Sequence, residues 1–128
     1  MRLRAASVLA RWIELDRAVA TETDYIILGD MNAEIAKQGL EPFATESGLK
    51  LLSVGMRNKY GANALTRVAS GRLLDHIVVT SDTVALMPDE DIDEQIIIRS
   101  DTRLAEWTAA FSDHVPVAAR FVIGKDRD

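Results

Sequence analysis

The sequence contains no cysteine and only two histidines among its 128 residues. The absence of cysteine excludes a disulfide scaffold, a zinc site built on thiolates and a cysteine nucleophile. Two histidines are too few for a histidine-rich metal cage. Apolar runs are short as well, and none approaches the roughly 18 residues that a transmembrane helix needs. These absences leave oxygen donors and two imidazoles to carry any chemistry.

Several familiar motifs are also missing. The sequence has no G-x-x-x-x-G-K-[ST], G-x-G-x-x-G, G-x-S-x-G or H-E-x-x-H. At the level of sequence motifs this excludes a P-loop, a dinucleotide-binding site, a serine hydrolase and a zincin. The acidic segment Asp89 to Glu94 resembles the start of a calcium loop, but Glu94 stands where that loop needs glycine and Ser100 where it needs glutamate. We therefore interpret this segment as a solvated acidic loop.

The composition that is present describes one folding domain. A length of 128 residues matches a single compact domain. The chain is 48% hydrophobic and 27% charged, with a mean hydropathy of +0.01, which excludes the signature of intrinsic disorder. The net charge of −5 gives the whole chain no attraction for nucleic acid or anionic membranes. Residues 57–72, however, contain four bases and no acid, so this segment is where a phosphate partner is expected.

Periodicity predicts an α/β unit of the α+β type. The first helix is expected to bury one apolar face, with Trp12 in the core. Residues 25–28 and 115–123 predict strands that are covered on both faces, because both of their faces are apolar. Further strands are expected at 49–54, 74–80 and 95–99, short helices at 41–48 and 102–110, and a loop at 55–72. The predicted apolar face of the first helix consists of Ala5, Val8, Leu9, Trp12 and Ile13.

Three short motifs carry candidate chemistry. In Gly29-Asp30-Met31-Asn32, alternation after a strand predicts that Asp30 and Asn32 project together while Met31 points inward. A carboxylate there can take a proton from water or hold a cation, and an amide can contact water or a phosphoryl oxygen. The alternative is an ordinary turn after a strand, for which the same residue types are favoured.

The other two motifs place an acid and a histidine in separate segments. Asp75 lies inside the apolar strand at 74–80, where a carboxylate needs a partner, and His114 in Ser112-Asp113-His114 is the natural one. Histidine can change charge near neutral pH and can stabilise charge on a phosphoryl group. The alternatives are an edge strand that exposes Asp75 to water and a surface turn at His114.

Taken together and in this order, the segments strand-G-D-x-N, x-L-D-H-I-V-V-T-S and S-D-H-V-P-V-strand resemble the endonuclease/exonuclease/phosphatase superfamily with the DNase I-like fold. The resemblance runs from about Arg4 to Phe121 and corresponds to the C-terminal half of that domain. It implies one mixed, mainly antiparallel sheet with flanking helices, equivalent to half of a four-layer α/β/β/α sandwich. Residues 1–128 are thus expected to form a single domain, which is truncated relative to that family.

The resemblance also implies roles for individual residues. Asp30 would orient or deprotonate the attacking water, with Asn32 beside it holding water or phosphate. His114 would stabilise the scissile phosphoryl group, Asp75 would hold His114, and Asp113 would bind the divalent metal, Mg²⁺ or Mn²⁺. Met31 stands where the family more often has phenylalanine, and His76 where it often has tyrosine, with no role assigned.

The implied activity is that of a divalent-metal-dependent phosphoesterase, either a nuclease or a phosphodiesterase. Its expected substrates are phosphodiesters or phosphomonoesters, and nucleic acid is one candidate. Arg67 and Arg72, in the basic loop before Asp75, are candidate contacts to substrate phosphates, with a solvated loop as the alternative. The family's strands that carry an asparagine and the metal-binding glutamate are expected upstream of this segment. The alternative function is therefore a catalytically incomplete fragment that serves as an interaction or oligomerisation module, since the other half of the fold or a second copy would have to cover its sheet.

Overall fold

A computed structural model of the chain describes residues 2–21, 23–35, 39–45, 48–53, 65–80, 96–98, 104–119 and 121. These residues form three helices and five strands, so the protein belongs to the mixed α+β class. In chain order the elements are α1 (Arg2–Arg17), β1 (Ile26–Asp30), α2 (Glu41–Thr45), β2 (Leu49–Leu51), β3 (Asp75–Thr80), β4 (Ile96–Ile98), α3 (Leu104–Ala110) and β5 (Val117–Ala119).

Strand β3 is the centre of the main sheet. It lies between β1 and β2 and is antiparallel to both, with Asp30 opposite Asp75 and Ile27 opposite Val78. Asp75 therefore begins a central strand, which excludes the edge-strand alternative for this residue. Strands β4 and β5 form a second antiparallel pair, so the described strands make two antiparallel sheets where the sequence predicts one mixed sheet.

The two faces of β3 have different neighbours, because successive side chains of a strand point to opposite sides. Val78 is fully buried in a core formed with α1 and α2. Ile77 and Val79, on the other face, pack with Leu52 against Val117 and Ala119 of β5 and against Phe121, two residues beyond that strand. Strand β3 is thus covered by the helix-side core on one face and by β5 on the other, whereas the face of β1 next to it stays exposed.

Helix α1 forms over the predicted residues, but the predicted buried face is wrong in part. The residues that face the core are Ala6, Ala10 and Ile13, with Leu9 half-buried. Two alanines on this side let the helix lie close to α2, and this proximity selects the small-residue face over the bulkier one. Three residues of the predicted face are exposed instead: Ala5, Val8 and Trp12.

The expectation that two strands are covered on both faces is also wrong for the described residues. In β1, Ile27 packs on the helix-side core, whereas Ile26 and Leu28 on the opposite face are exposed. In the last strand, Val117 packs inward while Pro116 and Ala118 are exposed. Apolar character on both faces was therefore a poor guide to burial, because exposed apolar side chains are common on protein surfaces.

The remaining predicted elements agree in position. The short helix α2, which has Pro42 in its first turn, ends at Thr45, and the φ of 83° at Gly48 suits glycine beyond a helix end. Within the predicted loop, the described residues 65–72 form a tight turn in which Arg67 pairs with Arg72. Residues 54–64, the acidic segment at 89–94 and residues 122–123 of the last predicted strand lie outside the described residues. None of the described helices combines the length and apolar character needed to cross a membrane.

Candidate active site

Three residues from separate segments converge at one end of the main sheet. Asp30 ends β1, Asp75 begins β3 directly opposite it, and His114 precedes β5. One potential ligand atom from each lies within 4.8 Å of the others. Antiparallel pairing explains the meeting of the two carboxylates, since the last residue of one strand lies beside the first residue of its neighbour.

His114 is held by Asp75. The distance from His114 Nδ1 to Asp75 Oδ2 is 2.7 Å, and both side chains are half-buried. An ionised carboxylate only accepts hydrogen bonds. Nδ1 therefore carries a proton and donates a hydrogen bond to Asp75. The ring's other nitrogen, Nε2, is therefore the atom through which His114 can act on a bound molecule.

Asn32 fixes the carboxylate of Asp30. Its backbone N–H donates to Asp30 Oδ1 at 2.8 Å, and its Nδ2 donates to Oδ2 at 3.2 Å. This local arrangement requires the left-handed backbone of Asn32, with φ of 50°, which asparagine tolerates better than most residues. Met31 between them packs towards the helix-side core, as alternation predicts. Asp30 and Asn32 thus form one exposed, oriented pair.

A buried threonine joins the segments that bear Asp75 and His114. Thr66 Oγ1 accepts hydrogen bonds from the backbone N–H groups of Leu74 at 2.9 Å and Asp75 at 3.1 Å. Its carbonyl accepts from Val115 N at 2.7 Å. Sequence reasoning missed this residue, because a threonine in a polar loop carries no local signal that distinguishes it from its neighbours.

The segment around His114 has two further fixed points. Trp107 Nε1, on α3, donates to the carbonyl of His114 at 2.7 Å. The N–H of His114 donates to Ser112 Oγ at 3.0 Å. Trp107 is half-buried, and its polar edge positions the histidine backbone. The Phe111 ring lies against it at a tilt of 39°, with ring centroids 5.0 Å apart.

His76, to which the sequence assigned no role, is buried on the helix side of β3. Its Nε2 lies 2.8 Å from the carbonyl of Ala33 and its Nδ1 lies 2.6 Å from Ser53 Oγ. Because a carbonyl only accepts, Nε2 donates and Nδ1 accepts from the serine hydroxyl. Burial lowers the pKa of His76, although the bond to Ala33 and the charges of Asp75 and Asp30 oppose that shift. The neutral ring ties β3 to the loop that follows Asn32.

The predicted substrate-binding arginines lie close to the site but are engaged by acids. Arg67 pairs through its backbone with His114, and its Nε lies 3.3 Å from Asp113 Oδ2. Arg72 forms an ion pair with Glu34. The carboxylate of Asp113, the predicted metal ligand, is therefore directed at Arg67 and lies outside the group formed by Asp30, Asp75 and His114. Its role in metal binding stays a prediction.

An open cavity of about 340 Å³ adjoins Asp75 and His114. Asp75 and His114 supply its polar wall, and Leu28, Trp107 and Pro116 contribute to its apolar wall. A small molecule in this space can therefore reach the imidazole and Asp75 while its apolar part contacts the tryptophan.

These features define a mixed α+β protein with an acid–acid–histidine cluster at the end of an antiparallel sheet. No protein-family model, curated protein or solved structure matches the chain.

Proposed function

We propose that this chain carries the water-activating and phosphate-binding residues of a divalent-metal-dependent phosphoesterase of the endonuclease/exonuclease/phosphatase type. The observation that supports the proposal most strongly is the convergence of Asp30, Asp75 and His114 within 4.8 Å. The three residues belong to the three motifs that carry the resemblance, and they come from distant parts of the chain.

In the proposed reaction a water molecule attacks phosphorus in line with the departing oxygen. Asp30 takes the proton from the water as its oxygen bonds to phosphorus and the bond to the leaving oxygen breaks; the leaving oxygen then takes a proton from solvent. The two hydrogen bonds from Asn32 orient the Asp30 carboxylate, and the exposure of Asp30 lets water reach it. Positioning of this kind reduces the entropic cost of bringing water to the ester.

His114 would stabilise the charge that develops on the phosphoryl oxygens. When the ring is protonated both nitrogens donate, so Nε2–H can bond a phosphoryl oxygen while Nδ1–H stays bound to Asp75. Asp75 thereby keeps the ring in one orientation. Arg67, which is paired with the His114 segment, and Arg72 would contact further phosphate oxygens if those oxygens displaced Asp113 or Glu34.

The donor set suits a hard divalent cation. Asp30 and Asp75 offer carboxylate oxygens, and Asp113, the residue before His114, has an exposed carboxylate. These residues would hold Mg²⁺ or Mn²⁺. When bound, the cation would neutralise negative charge on the phosphate.

The proposal is tested by hydrolysis of bis(p-nitrophenyl) phosphate and p-nitrophenyl phosphate with and without Mg²⁺ or Mn²⁺. We expect metal-dependent release of p-nitrophenol that Asp30→Ala and His114→Ala abolish without changing the thermal midpoint greatly. Glu14→Ala, which removes an exposed carboxylate on α1, is the matched control and should leave turnover intact. Retained turnover in the Asp30 and His114 variants would contradict the assignment.

A second candidate is an incomplete fragment of the same fold that serves as an interaction or oligomerisation module. It is favoured by the exposure of Ile26 and Leu28 on the sheet face that bears Asp30, where Leu28 is 70% exposed. Absence of any metal-dependent hydrolysis by the unaltered chain, together with self-association that Leu28→Ser on the sheet face abolishes, would favour this candidate.

A further inference from the structure

Helix α1 presents a second apolar surface that faces away from its own core. Val8 is 63% exposed, Trp12 52%, Leu15 53% and Val19 84%. Large apolar side chains exposed singly are common, but a contiguous row of them marks an interaction surface. The α1 stripe is defined as Ala5, Val8, Trp12, Leu15 and Val19.

The α1 stripe follows the spacing of a helix-pairing seam. Its members are separated by three, four, three and four residues, which is the alternation of a and d positions in a heptad repeat. Val19 lies just beyond the end of α1, where the N–H groups of Val19 and Ala20 still bond to the carbonyl of Asp16. The core-facing residues Ala6, Ala10 and Ile13 fall between these positions on other sides of the helix, so the seam and the core do not compete.

The charges that flank the stripe favour one partner and one orientation. With Ala5 and Trp12 at a, the g positions are Arg4 and Arg11, and the e positions are Leu9 and Asp16. In a parallel pair, each g residue faces the e residue five positions later on the other helix, which sets Arg11 against Asp16. The half-buried carboxylate of Asp16 also accepts a hydrogen bond from the Tyr25 hydroxyl of its own chain, which holds it at this edge of the helix. An antiparallel pair would bring arginine against arginine. The stripe is therefore complementary to itself in the parallel arrangement only.

We propose that the α1 stripe is a parallel homodimer interface, with a second copy of this chain as its occupant. The helix is preformed by its packing on the sheet, so pairing does not have to supply the free energy of folding it. Arg11 is paired with Glu14 in one copy, but both side chains are exposed, and such a pair exchanges partners at little cost. The interface lies on α1 and leaves Asp30, Asp75 and His114 free.

The absence of cysteine gives a direct test. Leu15→Cys introduces the only thiol of the chain at a d position, where a parallel pair brings each residue next to its own copy. Mild oxidation should convert most of this variant into a covalent dimer within minutes. The matched control is Ser7→Cys, which places the thiol on an exposed position of the same helix away from the stripe. It should cross-link at least tenfold more slowly.

Sedimentation equilibrium of the cysteine-free chain supplies a second readout. We expect a concentration-dependent monomer–dimer equilibrium that Arg11→Glu weakens at least tenfold, because this change sets like charges across the seam. Arg4→Glu, at the equivalent g position opposite Leu9, should change it much less.

Three results would overturn the proposal. A monomer at every concentration, together with slow cross-linking of Leu15→Cys, would exclude the dimer. Equal cross-linking at the two thiol positions would show random collision. A monomer that floats with phosphatidylserine vesicles, and loses that binding on Trp12→Ser, would assign the stripe to a lipid surface instead.

Discussion

His76 and His114 are the only histidines in the chain, and the two rings donate hydrogen bonds from different nitrogens. His114 donates from Nδ1 to a carboxylate, which leaves Nε2 for a bound molecule. His76 donates from Nε2 to a backbone carbonyl and accepts at Nδ1 from a serine, so both of its nitrogens serve the fold. The two rings therefore differ in what protonation does to them, and this difference can be measured.

Protonation of His76 is expected to destabilise the fold. The ring titrates near 6.5 in an unfolded chain, and burial lowers the pKa of the folded ring. Between those two values the unfolded chain binds more protons, so the free energy of unfolding falls as the pH falls from about 6.5 to the folded pKa. Above 6.5 this contribution is fully present. Urea denaturation at a series of pH values measures the slope.

As a control for this prediction, each histidine is replaced by glutamine in turn. His76→Gln should flatten the dependence on pH in that window, whereas His114→Gln should retain it. An NMR titration of the His76 ring with a midpoint at or above 6.5 would contradict the prediction.

Asp75→Asn is expected to disturb the orientation of His114 rather than the fold. An amide can turn its NH₂ group towards Nδ1, which would move the ring proton to Nε2. Loss of such a supporting partner costs about 10- to 100-fold in activity at comparable sites. We expect the loss in kcat rather than KM, with a change of tautomer visible in the ring ¹⁵N shifts of His114. Unchanged ring shifts together with unchanged kcat would show that Asp75 does not position His114.

At the scale of elements, the turn at residues 65–72 holds the site together. Thr66 lies in this turn, and its hydroxyl accepts the first backbone donors of the segment that enters β3. The same turn pairs with the His114 segment through Arg67 and with the loop after β1 through Arg72 and Glu34. All three segments of the site therefore depend on one short connection.

Thr66→Val removes the hydroxyl at nearly constant volume and leaves two N–H groups without this acceptor. Leaving a buried donor unsatisfied costs about 1–3 kcal/mol, so we expect a loss of about 2 kcal/mol or more in the free energy of unfolding. Chemical denaturation measures it. Thr66→Ser, which keeps the hydroxyl, should lose much less; equal losses in the two variants would assign the effect to the missing methyl group instead.

The elements show what sequence patterns can and cannot predict. Strand positions, the helix after Pro42 and the inward side chain of Met31 follow from local rules of alternation and capping, and these predictions are confirmed. The face that α1 buries depends on where α2 packs against it, which a helical wheel does not contain; Trp12 was placed wrongly for this reason. The pairing of Asp30 with Asp75 depends on strand register, which the sequence does not state.

The long-range contacts of the candidate site also fall into two groups, those that the sequence predicts and those that it does not. The link between Asp75 and His114 was predictable because a carboxylate in an apolar strand needs a partner. Thr66 and the tryptophan that holds the His114 backbone were not, because their roles depend on backbone groups that meet only in the folded chain. The ion pair of Asp113 with Arg67 likewise joins residues 46 positions apart.

At the scale of the whole molecule, the net charge is negative, although two arginines lie near the cluster. The chain carries 20 acids and 15 bases, which disfavours general attraction to a polyanion. Arg67 and Arg72 nevertheless lie beside the cluster, each paired with an acid that a phosphate would have to displace. Binding of a nucleic acid would therefore depend on few contacts, and its dependence on salt should be shallow.

If Arg67 and Arg72 contact backbone phosphates, duplex DNA binding should lose affinity with salt at a slope of about −2 in log K against log[salt], because each contact contributes about −0.9. Arg67→Gln and Arg72→Gln should each reduce the steepness by about 1. Fluorescence anisotropy in an Asp30→Ala background measures binding without cleavage, and Arg4→Gln, on the exposed side of α1, serves as the control. Each substitution also frees an acid, Asp113 or Glu34, next to the bound phosphate, so affinity at low salt should fall as well. A slope that neither substitution changes would assign both arginines to their ion pairs alone and would leave the phosphate to His114 and Asn32.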